Sequence, residues 1–346
     1  MRGGVLIALA VALAIAMPAP ATTIYVDADA AAAGDGAGWA TAYRFLQDAL
    51  GFASVPANAV TEIRIASGLY TPDKSQANPS GTGDREATFA LINGVAIQGG
   101  YAGAGEPEPD ARNIALHTTV LSGDLLGNDD GPPSNGAENS YSVTTGSGTD
   151  TTALLDGLTI TGGRATALPG SPAHQRSGGG VWIVAGSPTL VDCVITDNFV
   201  LNDGGGLYIA TGSSPVITRC TFSDNVAFQD GGGIFNTQAS NPVFTDCVFS
   251  NNTGFSGGGI ANDTDCSPSI SGCVFTGNHA DESGGAVSNV TNCSPTVSNC
   301  TFTGNTADEF NGGGLNNRID SSPTIIGCVF KNNQAVHNGG AIGNFS

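Results

Sequence analysis

Basic side chains are scarce in this chain: 11 Lys and Arg stand against 30 Asp and Glu in 346 residues, a net charge of −19. Such a surface is not drawn to nucleic acid or to an anionic membrane, and it repels uronic-acid polymers unless a cation intervenes. From Leu154 onward the cations are Arg164, Arg176, Arg219, Arg318 and Lys331, at unrelated points, so no recurrent base for polysaccharide lyase chemistry is present. The four histidines, His117, His174, His279 and His337, are isolated and read as surface or loop residues. Zinc-ligand spacings, a nucleophile elbow and a phosphate loop are all missing. After residue 21 no apolar run is long enough to span a bilayer. The first cysteine is Cys193, which excludes a lipid-modified cysteine next to a leader.

What the chain does have is a repeat. Cys193, Cys220, Cys247, Cys273, Cys300 and Cys328 recur at intervals of 27, 27, 26, 27 and 28 residues. An aliphatic column after each glycine run (Val181, Leu207, Ile234, Ile260, Val287, Leu315, Ile342) keeps the same beat, as does a proline column from Pro188 to Pro323. Two residues after each cysteine stands Ile195, Phe222, Phe249, Phe275, Phe302 or Phe330. Three further on stands Asn198, Asn225, Asn252, Asn278, Asn305 or Asn333. Concurrent columns at a fixed period define a stack of like units.

The unit is built of strands, because glycine runs, Pro steps and β-branched or aromatic residues fill it where helix formers would be required. The segment from Gly231 to Asn252 reads as three short strands punctuated by turn residues, with Ile234, Phe244, Cys247 and Phe249 pointing inward. The alternation breaks between Phe244 and Cys247, which marks a bend. Three strands and three bends close one coil, and coils stacked at about 4.8 Å form a parallel β-solenoid. The asparagine columns, including Asn236, Asn262, Asn289, Asn317 and Asn344, belong at bends where their amides bond along the stack.

Phe-x-x-Asn together with Gly-Gly-Ala-Val (Gly284 to Val287) and Gly-Gly-Ala-Ile (Gly339 to Ile342) resembles the repeat of chlamydial polymorphic outer membrane proteins. More broadly the chain resembles the pectin-lyase-like right-handed β-helices of exported bacterial proteins. The resemblance implies an all-β fold, a right-handed parallel β-helix with about 27 residues per coil. It also implies a secreted or cell-surface setting and a role in adhesion. Tyr25 to Asp27, Asn93 to Val95 and Gly99 to Gly103 resemble the leading coils common in such proteins.

Residues 1–21, with Arg2, an apolar run from Val5 to Met17 and Ala19-Pro20-Ala21, read as a cleavable secretory signal peptide. Its loss takes Arg2 away and turns the net charge from −19 to −20. Residues 22–153 read as an N-terminal cap and irregular first coils. Within them, Ala42, Phe45, Leu46, Ala49, Leu50 and Ala53 lie at helical spacing behind Thr41, a cap candidate. This short helix is expected to cover the exposed end of the stack. Long polar loops leave at 71–86, 102–117, 127–140 and 164–177, where a rigid scaffold would carry a binding site. Residues 154–346 read as regular coils that stop mid-coil at Ser346. That ending is expected for a truncated fragment of a larger surface protein, or for an open coil that associates end to end. Roughly ten coils, about 50 Å long, are expected in all.

Cys266 and Cys293 stand two residues before the proline in adjacent coils only, so a Cys266–Cys293 disulfide is expected, while the six-membered cysteine column stays reduced. Asp197 and Asp224 precede the asparagine column and Asp203 and Asp230 precede the glycines. Carboxylates stacked at coil spacing either splay into water or share a cation, so these four are Ca²⁺ candidates and no other cofactor is expected. Paired carboxylates would also serve a glycosidase, for which Asp124, Asp129, Asp130, Asp197 and Asp224 are the candidates. The regularity of the repeats points to a non-catalytic scaffold, structural, adhesive or glycan-binding, with a polysaccharide or cell-surface partner. A carbohydrate-active lyase or glycosidase is the alternative, because β-helices host both binding and catalysis.

Overall fold

Left-handed corner residues decide where each coil turns. Asp192, Arg219, Asp246, Gly272, Asn299 and Gly327, each just before a column cysteine, all have φ between 51° and 65°. So do Asp197, Asp224, Asn251, Gly277, Gly304 and Asn332, each just before the asparagine column. Asp, Asn and Gly dominate both sets because they tolerate this conformation at least cost. Between these corners lie strands of two to five residues, too short to do anything but pair with the coil above and below.

In a computed structural model the described residues are 21–31, 33–129 and 136–345; the signal-peptide expectation falls almost wholly, and Asp130 wholly, outside them. Four all-parallel sheets, of ten, nine, nine and seven strands, wrap around one interior. A regular coil therefore carries four strands, not the three expected: Val181–Val184, Thr189–Val191, Val194–Thr196 and Phe199–Val200. The fourth, two residues long, follows the asparagine column, and no alternation can be read from so short a run. The ten-stranded sheet gives the number of coils, from Thr22–Val26 to Thr324–Ile326.

Register is fixed by like stacking on like. Phe222 pairs with Phe249, Phe249 with Phe275, Phe275 with Phe302 and Phe302 with Phe330. Their rings lie 4.6–5.2 Å apart and within 6° of parallel. Each buried phenylalanine contributes about 2–3 kcal/mol through burial. A slip of one residue would turn this whole column to solvent. Ile234, Phe244, Cys247 and Phe249 are all fully buried, as the alternation required. The third glycine run shows why no side chain is tolerated there: a Cβ on Gly232 would lie 2.3 Å from the Thr253 carbonyl oxygen, and Gly231 has φ +71°.

The asparagine columns form two buried ladders. From Asn198 to Asn333 each Nδ2 donates to the Oδ1 of the next asparagine at 2.9–3.0 Å. From Asn236 to Asn344 the same step measures 2.7–3.2 Å. Each amide inside a ladder thereby satisfies one neighbour and is satisfied by the other, which makes a polar column tolerable in a dry interior; Asn236, at the start of the second ladder, keeps an unpartnered Oδ1.

The helix spans Leu46–Ala53 and buries Leu46, Ala49, Leu50 and Ala53 against the first coils, covering that end of the stack. It starts later than expected. Thr41 lies in a separate 3₁₀ turn and donates its hydroxyl to Asp35 at 2.6 Å instead of capping the helix.

All eight cysteines are free thiols, and the bridge expected between Cys266 and Cys293 is not formed. Both thiols reach a carbonyl two residues back, Thr264 at 3.5 Å and Thr291 at 3.3 Å, so they share one orientation. In-register stacking sets the two thiols side by side, close enough to interact, and leaves them unbonded. Cys293 instead accepts the Cys266 backbone N–H at 3.3 Å.

Candidate functional site

The outward column on the sheet that contains Val181–Val184 begins with aromatics. Trp182 pairs with Tyr208 in register, and Tyr208 with Phe235. The Trp182 and Tyr208 rings are stacked, with centroids 4.4 Å apart and planes 7° from parallel; Tyr208 and Phe235 follow at 5.6 Å and 23°. On the other side of Trp182 the register partner is Thr145, which has no ring. Tyr208 covers one face of the indole, and on the other side the neighbouring coil offers Thr145 in place of a ring, beside a cavity of about 220 Å³ that Trp182 and Thr145 both line.

The other side chains around that cavity are mostly polar or charged. Arg85, Glu86, Thr88, Tyr141, Ser142 and His174 complete its wall. His174, from the loop that lengthens the first regular repeat, meets Glu86 at 2.8 Å and stands edge-on to Trp182. Gln175 also bonds Glu86. The Arg85 guanidinium lies 4.1 Å from the Tyr141 ring and donates to the carbonyls of Asn139 and Arg164 at 2.6 and 2.8 Å. Burial pulls its pKa below the ordinary arginine value. The hydroxyls of Thr88 and Ser142 are buried without a hydrogen-bond partner. An aromatic face beside unpaired hydroxyls is what a ring with apolar faces and polar edges requires.

A second concavity, of about 330 Å³, is lined by Ser122, Asp124, Asp129, Thr161, Gly162, Arg164 and Asp197. It brings together three of the carboxylates nominated from the sequence. Asp224 sits one coil further along, exposed. Asp197 and Asp224 are corner residues with φ of 54° and 56°, which accounts for their recurrence without any ligand.

Asp203 and Asp230 lie at a different corner, so the four proposed Ca²⁺ ligands do not form one site. Asp203 accepts the Asp230 N–H at 3.2 Å, and Asp230 accepts the Ser256 N–H at 3.0 Å. Each carboxylate thus caps the coil that follows it. Burial pushes Asp203 up to about 7, with the Asp230 charge adding to it, and pushes Asp230 up to about 6, with Glu282 adding. Burial first and the Asp203 and Asp263 charges next push Tyr208 up to about 12. Engaged in capping, this pair is a structural element of the corner.

The cavity at Trp182 was missed in the sequence. Its signal was present, since Trp182, Tyr208 and Phe235 each follow the aliphatic column by one residue. What could not be read was that Arg85, Glu86 and Tyr141, distant in sequence, return to the same face.

Residues 151–302 match the family described as right handed beta helix region, and residues 327–344 match the repeat of the Chlamydia polymorphic membrane proteins. The first match and the four parallel sheets together make the fold a right-handed parallel β-helix, and the second makes its repeat similar to that of a family of membrane proteins. Neither a curated protein nor a solved structure matches the chain. No helix among the described residues is long and apolar enough to cross a membrane.

Proposed function

We propose that this is an exported β-helix scaffold that binds a neutral glycan at the cavity beside Trp182. The observation that carries the reading is the terminal position of Trp182 in its aromatic stack, where the indole lines a cavity whose other side chains are mostly polar. A pyranose ring stacks its C–H face on the indole while its hydroxyls meet the exposed Glu86–His174 pair. With a net charge of −19, a neutral polymer is favoured over a uronic one.

The test is a binding and turnover screen of the protein against neutral and uronic polysaccharides, by retardation in polysaccharide gels and by release of reducing ends. Retardation by a neutral polymer without turnover supports the reading. Turnover would replace it with a glycosidase, and no retardation by any neutral polymer would remove it.

A further inference from the structure

We infer that the loop leaving the coil after Ser122 holds a divalent hard cation, Ca²⁺, on Asp124, Asp129 and Glu138. This site is separate from the glycan cavity and does not depend on it. One carboxylate oxygen from each of the three residues lies within 4.8 Å of the other two. Oxygens on opposite sides of a Ca²⁺ ion stand about 5 Å apart, so three such atoms fit one coordination sphere.

Three carboxylates this close repel one another unless a cation neutralises them. Among the described residues none of the ion pairs reaches them. Arg164 lines the adjoining cavity with Asp124 and Asp129, yet its guanidinium lies over the Phe199 ring at 5.3 Å.

The second observation concerns satisfaction of buried oxygens. Asp124 is well supplied: Oδ1 accepts the N–H groups of Gly127 and Asn128 at 2.7 and 3.2 Å, and Oδ2 accepts that of Asp129 at 3.1 Å. Asp129 Oδ1 and Glu138 Oε1, by contrast, are buried with no partner at all. Asn139 is completely buried and reaches into the cluster, donating Nδ2 to Asp129 Oδ2 at 2.7 Å and to the Gly162 carbonyl at 2.7 Å. Its Oδ1 is also unpartnered. Several orphaned oxygens beside three carboxylates, with the neighbouring Ser140 hydroxyl the one orphaned group able to donate, describe a cage for a cation. A set made only of oxygens selects a hard ion, and donors from an irregular loop suit the variable geometry of Ca²⁺ better than the strict octahedron of Mg²⁺.

The experiment is calorimetric titration of the chelator-treated full chain with CaCl₂, paired with the melting temperature at each concentration. One Ca²⁺ per chain with a dissociation constant of about 1 mM or tighter, and a melting temperature that rises with Ca²⁺, is the expected result. Glu138→Gln, which keeps the size and shape of this partly buried side chain and leaves the fold intact, weakens binding at least about tenfold. Glu138→Gln with Asp129→Asn abolishes it, while Asp224→Asn does not alter it. No heat and no shift in melting temperature up to about 10 mM Ca²⁺ would overturn the inference, as would undiminished binding by the double variant.

Discussion

Trp182 ends an aromatic stack: Tyr208 lies against one face of its indole at 4.4 Å, and the position on the other side belongs to Thr145. In a solenoid every outward position is repeated at each coil, so a column that changes from ring to no ring creates a step in the surface. Here the step coincides with the loop that carries His174 and with Arg85, Glu86 and Tyr141 from the irregular coils. The cavity is thus a consequence of where the regular repeat begins.

Acidification stabilises the corner formed by Asp203 and Asp230. Their folded values, about 7 and about 6, exceed the ordinary 3.8, so the folded chain holds protons that the unfolded chain releases. Their contribution is complete below about pH 4 and is lost as the pH climbs through 4 to 7. Melting temperature followed from pH 5 to pH 8 should fall. Asp203→Asn, which keeps an acceptor for the Asp230 N–H, should raise it by about 2–4 °C at pH 8 and flatten the profile. An Asp203→Asn profile as steep as that of the parent would contradict this assignment.

The asparagine ladder is expected to be among the costliest places to mutate. Asn252 donates Nδ2 to Asn278 Oδ1 and to the Phe222 carbonyl, and its Oδ1 accepts both the side-chain and backbone N–H of Asn225. Asn252→Ala strands these buried partners and should cost about 3–5 kcal/mol in chemical denaturation. Asp224→Asn, at a left-handed corner that Asn accepts, should change stability by no more than about 0.5 kcal/mol. Equal losses for the two variants would mean that the ladder is not what holds the coils in register.

Buried thiols should be silent until the chain unfolds. Seven of the eight cysteines are buried and all eight are free. A thiol reagent should label the native protein at most at Cys328, and should label all eight after unfolding without reductant. A mass two hydrogens lower, mapped to a peptide pair containing Cys266 and Cys293, would show that the bridge forms after all.

Periodicity made the regular coils legible, because each column repeats a single physical constraint: Phe249 and Cys247 must be dry, Asp246 must tolerate a left-handed turn, and Asn252 must bond both ways. The same logic located the helix over the open end. It failed where constraint is weak or long-range. The strand Phe199–Val200 is too short to alternate, and the thiols of Cys266 and Cys293 are near in register yet share one orientation. Asp124, Asp129 and Asp197 were nominated as chemical candidates and do meet in one concavity, but Glu138 and Asn139, which complete the acidic cluster, carry no repeat signature. The Trp182 cavity needed side chains from before and after the start of the repeat, a relation that only the folded coil displays.

Glycan binding at Trp182 is tested by retardation of the parent chain, Trp182→Ala and Trp39→Ala in gels containing the neutral polysaccharide that binds best. Trp39 packs with Tyr25 and Tyr101 away from the cavity, so its loss controls for the removal of an indole. Loss of the Trp182 indole should weaken binding at least about tenfold, and Trp39→Ala should bind as the parent does. Equal retardation of the parent and Trp182→Ala would contradict the account.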